Sequence, residues 1–523
     1  MLTPLHRLRE VDPRTRLYFV GAALLIFLGI TLRSLGYFDG KNGLWNDEAN
    51  WVLRTASGRA GGGIRPPGYT LLSRVFIAWG PSEALLRSTS YLAGVVAVPL
   101  FFWMSLRLGL GRCSSLLGLF VVAVHPWLIS YAKEFKPYGL EFGFHVGILA
   151  LASIYMRRPT WASLLGLGAT GVVSLLFGWS TVFLLPGVVA ACLAIQIRDR
   201  LKPQVAVTGG VLGLGVVLFC ILHFPRLVKL LTHGAGTNKF WGSKYDVFYV
   251  GKGGFVAKLE WVANKTLDLA QLPGELHAWS GQPGTVASIS GTVFGWLALL
   301  GLIGLVFERR WILLLLWASP WLCAIAANWL GVWPYGTFRT NVFLLIYPLC
   351  LTLASLSWVE VQPAFSGSGA RVVAGVALTV GLIFAPFDLP YFTYKDVATG
   401  AFSSSIGQSL ETIAIREQAT KGRVHLFLDG YACGTVRYYG SHHPNYKQIL
   451  QPFLKKRVTT HCADNSESKL RRMIKAHGKR DLWLITARPA VAQSTTTFMS
   501  RHCRAIFAPH LPTPDTLFQC SPK

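Results

Sequence analysis

The chain has 523 residues, 52% hydrophobic and only 14% charged, with a mean hydropathy of +0.42. Soluble proteins carry about a quarter of their residues as charges, so an ordinary soluble domain is excluded and a polytopic membrane protein is indicated. The net charge of +26 does not mark a nucleic-acid binder, because the basic residues lie in loops between apolar runs and in the tail. Residues 390–523 alone hold 19 Lys and Arg against 8 Asp and Glu, a net +11. That pattern suits an anionic lipid or polysaccharide surface, and the 18 tryptophans suit bilayer interfaces.

At about 20 residues per span, the apolar runs predict eleven transmembrane helices. They cover roughly 17–36, 84–106, 113–131, 138–156, 160–176, 178–197, 205–223, 287–306, 311–328, 340–357 and 371–389. The first run, Leu17 to Leu35, is longer than a signal-peptide core and no clear small-residue cleavage site follows it, so it reads as a retained span. The apolar stretch 160–197 reads as two spans hinged near Gly178, just before Trp179-Ser180-Thr181.

Short-loop basic residues set the orientation. Arg7, Arg9, Arg14 and Arg16 precede the first span, and alternate loops then hold Arg107 with Arg112, Arg157 with Arg158, Arg198 with Arg200 and Lys202, Arg309 with Arg310, and Arg371. The intervening short loops hold only Lys133, Lys136 and Arg339. The expected topology is N-terminus inside and C-terminus outside, within a bacterial inner membrane, with the tail and active face in the periplasm.

Two outer loops are long, about 37–83 and 224–286. In the first, residues 44–56 and 67–79 read as short interfacial helices flanking a glycine-rich stretch; the second reads as further surface helices with a mobile segment at Gly234-Ala235-Gly236-Thr237. Beyond Pro390 the composition becomes that of a soluble domain. Val424–Leu428 and Leu482–Thr486 read as buried strands and Glu467–His477 as a charged helix, giving a small α/β domain over 391–523 after a membrane domain over 1–390. Cys433, Cys462, Cys503 and Cys520 all fall in the tail, an even number suited to two disulfides in an oxidising compartment, with three pairings open. Cys113, Cys192, Cys220, Cys323 and Cys350 lie in or near spans and read as small apolar residues. No local spacing supports a metal site, and no cofactor is expected.

On this topology several ionisable groups reach the outer face: Asp47 and Glu48 after span 1, Lys133, Glu134 and Lys136 between spans 3 and 4, and Arg339 at the start of span 10. Charges at membrane depth are costly and tend to be functional. Carboxylates beside cations suit proton removal from an acceptor hydroxyl with stabilisation of a departing phosphate. Each group also has a structural reading. Asn46 or Asp47 could cap a helix, Lys133–Lys136 could be a solvated turn, Arg339 could snorkel to headgroups, and Pro66-Pro67 reads as a rigid turn.

The order of these groups resembles a family. Asp47-Glu48 followed by Arg65-Pro66-Pro67-Gly68-Tyr69, then Tyr131-Ala132-Lys133-Glu134-Phe135-Lys136-Pro137-Tyr138, then Trp333-Pro334-Tyr335-Gly336-Thr337-Phe338-Arg339-Thr340-Asn341, resembles the polyprenyl-phosphate-dependent GT-C glycosyltransferases. Within them the match is to the protein O-mannosyltransferase and lipid A aminoarabinose transferase group (glycosyltransferase family 39), over about residues 15–390. The resemblance implies an inverting, metal-independent transfer from a polyprenyl-phosphate sugar to a glycan, lipid or protein acceptor. It makes Asp47 the general base, with Glu48 and Glu134 assisting. Lys136, Arg339 and more weakly Lys133 would hold the donor phosphate, and Arg65, Tyr69 and Tyr138 would position acceptor or loop. Lys136 stands where the family more often has Arg, and an ammonium lacks the guanidinium's bidentate fork; the tail matches nothing in the family. A lipid-linked-saccharide flippase is the alternative from another class. It predicts internal repeats with paired broken helices, and no self-similarity between the two halves is evident. An O-antigen ligase or polymerase, using a diphosphate-linked donor, is a third reading.

Overall fold

The computed structural model describes residues 12–38, 44, 46–57, 66–80, 82–211, 213–215, 217, 228, 242–243, 246–249, 253–271, 273, 285–337, 339–361, 413, 424–429, 432–441, 458–463, 482–486, 504–507 and 516–520. The chain forms two compact units. One comprises 1–34, 64–69 and 89–389; the other comprises 35–63, 70–88 and 390–523. Most of the first outer loop therefore groups with the tail.

The helices run in chain order as α1 (Pro13–Ser34), α2 (Asn46–Ala56), α3 (Pro67–Trp79), α4 (Glu83–Arg107), α5 (Arg112–Val124), α6 (Pro126–Ala132) and α7 (Tyr138–Arg157). They continue as α8 (Trp161–Phe177), α9 (Thr181–Arg198), α10 (Phe255–Gln271), α11 (Thr285–Phe307) and α12 (Trp311–Trp329). A 3₁₀ turn over Arg339–Leu345 then leads into α13 (Ile346–Val361). Among the described residues six helical segments are long and apolar enough to cross a membrane, or seven if α5 and α6, bent by 50° at their junction, count as one span. Two shorter apolar helices, Trp161–Phe177 and Gly291–Phe307, accompany them. Residues 202–211 are also helical, at the start of another expected span, whereas the expected span 371–389, the Gly234–Thr237 segment and the Glu467–His477 helix lie outside the described residues.

Large apolar side chains stand exposed along these helices, Phe307 at 82% and Leu17 at 74%, as hydrocarbon-facing surface does. Pro99, Pro186 and Pro320 sit inside α4, α9 and α12, tolerated in membrane helices because neighbouring groups satisfy the freed backbone.

The break between α8 and α9 has a specific cause. Glu141, buried on α7, accepts a 2.8 Å hydrogen bond from the Trp179 main-chain N–H, so the interrupted backbone is satisfied by a side chain from a third helix. A Cβ at Gly178 would lie within van der Waals overlap of the Glu141 side chain. Only glycine lets the carboxylate come that close.

Several helix ends of the first unit meet at one face. Arg157 Nε donates to the Arg107 carbonyl at 2.9 Å and Arg310 Nη2 to the Leu108 carbonyl at 3.0 Å, placing cations on the negative end of α4. Glu360, near the end of α13, accepts from the Cys113 and Ser114 amides at 3.1 and 3.2 Å at the start of α5. Arg112 Nη1 reaches Thr15 Oγ1 at 3.0 Å near the start of α1. The N-terminal end and three of the arginine-bearing loops thus share a face.

In the second unit, β1 (Val424–Asp429), α14 (Ala432–Ser441), β2 (Val458–Ala463), β3 (Leu482–Thr486), β4 (Arg504–Phe507) and β5 (Thr516–Cys520) build a five-stranded sheet of order β2-β1-β3-β5-β4. Strand β1 runs parallel to β2 and β3, with Leu426 opposite Trp483, both fully buried. Strand β5 pairs antiparallel with β3 and β4. Helix α14 occupies the crossover that a parallel β1–β2 pair needs and packs against α2. Cys433, on α14, is disulfide-bonded.

Candidate active site

The sequence-predicted residues divide between the units. Asp47 and Glu48 belong to the second; Tyr69, Lys133, Glu134, Lys136, Tyr138 and Arg339 belong to the first. Arg65 lies outside the described residues.

In the second unit α2 begins at Asn46, so Asp47 and Glu48 fall in its first turn, where negative charge is favoured by the helix dipole. The adjacent carboxylates differ sharply. Glu48 is fully buried and receives Arg87 Nε at 3.0 Å and Nη2 at 2.6 Å, a bidentate ion pair to the first turns of α4. Asp47 is only partly buried. Ala49 and Val52 bury the apolar face of the same helix.

In the first unit the second motif is a locked turn. Lys133 ends α6, its N–H bonded to the Ser130 carbonyl at 3.0 Å, and the Lys136 N–H bonds the Glu134 carbonyl at 2.8 Å. Ser90, buried on α4, donates to the Lys136 carbonyl at 2.6 Å. A Cβ at Gly139 would stand 2.6 Å from the Tyr131 carbonyl oxygen, so the first turn of α7 sits against the end of α6 only because that residue is glycine. Both lysines are 7% exposed. A solvated turn would leave them open, and that reading does not describe this segment. Ammonium groups taken from water need compensating negative charge; Glu134, partly exposed, lies in the same turn.

Aromatic rings join the motifs. Tyr69 lies 5.7 Å from Phe135, and Tyr131 lies edge-on to Tyr138 at 5.4 Å. The 3₁₀ turn that Arg339 opens packs against α7, which brings the third motif to the helix that follows the second.

Arg339 opens the 3₁₀ turn and is partly exposed. The loop before it is pinned by Asn341, whose Nδ2 donates to the Pro334 and Gly336 carbonyls at 3.0 and 2.8 Å while its Oδ1 accepts from Trp333 Nε1 at 2.8 Å. Tyr335 is fully buried, its hydroxyl 2.8 Å from Thr266 Oγ1 on α10, and burial pushes its phenol up to about 12 despite the Thr266 hydrogen bond. Beside it, Lys265 bridges Asp246 at 2.6 Å and Asp268 at 3.6 Å. Burial raises the Asp268 carboxyl above its ordinary value, and Lys265 opposes that shift.

Sequence reasoning missed Arg87, Ser90, Glu141 and His145. His145 is fully buried on α7, with Nδ1 2.5 Å from the Tyr347 hydroxyl and Nε2 3.2 Å from Ser180 Oγ. It therefore ties α7 to α13 and to the α8–α9 break. Glu141 and His145 stand one helical turn apart inside an apolar run, and that spacing is the signal that could have flagged them. Among the described residues no group of three or more His, Cys, Asp or Glu could hold a metal ion.

No family model matches the sequence, and no curated protein matches it. Solved structures do resemble it. ArnT from Cupriavidus metallidurans in the apo state superposes with a TM-score of 0.45 and 14% identity over 97% of this chain and 98% of that one. The same protein bound to undecaprenyl phosphate gives 0.44 and 14%, over 95% and 97%. The Archaeoglobus fulgidus oligosaccharyltransferase in the apo form gives 0.42 and 13%, over 89% of this chain and 69% of that one. Likeness of this degree carries no residue-by-residue correspondence, so the roles below rest on this chain's own residues.

Proposed function

We propose that the protein is a GT-C-type glycosyltransferase that moves a sugar from a polyprenyl-phosphate donor to an acceptor hydroxyl at the outer face of the inner membrane. The observation that carries this reading is the locked Tyr131–Tyr138 turn. It holds two lysines out of water beside a carboxylate, and the 3₁₀ turn that Arg339 opens packs against α7, the helix that follows. Rigid, dehydrated cations are what a leaving phosphate requires, because fixed charges in a low-dielectric site need no reorganisation as negative charge develops.

Asp47 acts as general base. It takes the proton from the acceptor hydroxyl as that oxygen bonds to the anomeric carbon from the face opposite the phosphate. The bond from the anomeric carbon to the phosphate oxygen breaks, inverting the centre, and its electron pair leaves on the polyprenyl phosphate. Lys136, Arg339 and Lys133 bear that charge, and Glu134 orients them or the acceptor. Glu48, committed to Arg87, holds the helix that carries Asp47. Arg65, Tyr69 and Tyr138 position acceptor or loop.

The shared face of the N-terminal end with the 107–112, 157 and 310 loops supports an alternating topology with those arginines inside. A disulfide at Cys433 supports an oxidising, periplasmic setting for the tail. The whole is read as about eleven spans, N-terminus in and C-terminus out, carrying a small α/β domain.

The test is sugar release from a panel of purified polyprenyl-phosphate sugars by the wild type and Asp47→Asn. Release by the wild type that a folded Asp47→Asn variant loses would support the reaction and name the sugar. No turnover with any donor, together with transfer of lipid-linked oligosaccharide across a reconstituted bilayer, would replace it with a flippase.

A further inference from the structure

Arg33 is the last-turn arginine of α1 and is 1% exposed. A buried guanidinium inside a spanning helix is expensive, and its partners explain why it is there. Nη2 donates to the Val122 carbonyl at 2.8 Å, and Nη1 donates to the Ala123 carbonyl at 3.0 Å and to Gly29 of its own helix at 2.9 Å.

Val122 and Ala123 are two of the carbonyls whose i→i−4 donors lie beyond the α5–α6 break. Residue 126 would supply the N–H for Val122 but is proline, which has none. Residue 127 would supply Ala123, but the Trp127 N–H turns instead to His125 Nδ1 at 3.3 Å. The guanidinium fork, with its several N–H groups in one plane, replaces both lost donors at once. The axis bends by 50° at this point, and α6 then runs seven residues straight into the turn that holds Lys133, Glu134 and Lys136.

We propose that Arg33 is a positioning residue: by bridging Val122 and Ala123 it holds the α5–α6 bend and so aims the Lys133–Lys136 turn at the donor phosphate. The aiming rests on the glycosyltransferase reading; the control of the bend does not. Arg33 touches no substrate and acts through main-chain carbonyls.

The test pairs Arg33→Met and Arg33→Lys with Pro126→Ala. Methionine removes every donor, and lysine keeps the charge without the planar fork. Alanine at 126 returns an N–H to Val122, so it relieves the need for Arg33. Two measurements are made on full-length protein in nanodiscs: kinetics with the donor identified for the wild type, and the distance between spin labels at positions 112 and 134, which bracket the bend.

Arg33→Met should raise the donor KM about tenfold or more, leave the acceptor KM within twofold, and broaden or shift the label distance. Lysine should fall between methionine and arginine. In the Pro126→Ala background, Arg33→Met should change donor KM by less than about threefold. If Arg33→Met alone does not fold, recovery of folded protein by Pro126→Ala is the supporting result. The proposal is overturned by an unchanged label distance in a folded Arg33→Met, by effects that multiply in the double variant, or by failure of Pro126→Ala to recover an unfolded one. If the wild type turns over no polyprenyl-phosphate sugar, the parent reading has failed, and the label distances still decide whether Arg33 controls the bend.

Discussion

Glu48 receives Arg87 through two hydrogen bonds, Nε to Oε1 at 3.0 Å and Nη2 to Oε2 at 2.6 Å, while its neighbour Asp47 stays partly open to solvent. Removing one partner of a buried ion pair strands the other charge and costs about 3–5 kcal/mol. Glu48→Gln should therefore lower thermal stability markedly. Asp47→Asn should leave the melting temperature within a few degrees and lower sugar release by about 10²–10⁴-fold, the usual contribution of a general base. Thermal denaturation beside a turnover assay checks both. Equal stability losses in the two variants would remove the distinction drawn between the carboxylates.

In the proposed function Lys136 and Arg339 hold the donor phosphate. A hydrogen bond to a charged group contributes about 1.5–3 kcal/mol, or roughly 10- to 150-fold in affinity. Lys136→Met and Arg339→Met should each weaken donor binding by about that factor and leave acceptor affinity unchanged. Isothermal titration with the donor lipid measures it, and unaltered affinity in both variants would exclude them as phosphate ligands.

Glycine at the α8–α9 break is required by the approach of Glu141. Gly178→Ala should force the carboxylate away from the Trp179 amide and cost about 1–3 kcal/mol, as overpacking does. Gly147→Ala on α7, with nothing within 4 Å of the added carbon, is the control and should be neutral or slightly stabilising. Melting temperatures of the two variants provide the comparison.

Tyr335 supplies a pH dependence. Its phenol is pushed up to about 12 by burial, against about 10 in an unfolded chain. Between those values the unfolded state releases the proton that the folded state keeps, so the stability associated with the buried neutral phenol is complete below pH 10 and declines toward pH 12. The melting-temperature advantage of the wild type over Tyr335→Phe should narrow across that window. A constant gap from pH 8 to 12 would contradict the assignment.

Much of the fold is legible in hydropathy, because spanning helices must be apolar over a fixed length. The hinge at Gly178 and the short helices 46–56 and 67–79 follow from glycine and aromatic placement, and the strands at 424–429 and 482–486 from short apolar runs. The partners of buried charges are what a one-dimensional reading lacks. Glu48 and Asp47 look equivalent in sequence, and it is the buried ion pair to Arg87 that marks Glu48. The carbonyls that Arg33 serves lie about 90 residues away and carry no side-chain signature. Lys133 and Lys136, taken alone, read more readily as a solvated turn until Ser90 and Gly139 are seen to lock it.

The caps described for the first unit also imply an order of assembly. Arg33 is synthesised before the carbonyls at 122 and 123, Ser90 before Lys136, and Glu141 before the break at 178–180, so each interrupted segment can enter the bilayer with its hydrogen-bonding partner already inserted. The helix ends at the shared face are the exceptions: the carbonyls at 107 and 108 wait for Arg157 and Arg310, and the N-terminus of α5 waits longest. Its amides at 113 and 114 wait for Glu360, nearly 250 residues later. A nascent chain halted before that glutamate would carry its inner breaks sealed and one helix end still open at the membrane edge, the natural place for a membrane chaperone or protease to distinguish an unfinished molecule from a finished one.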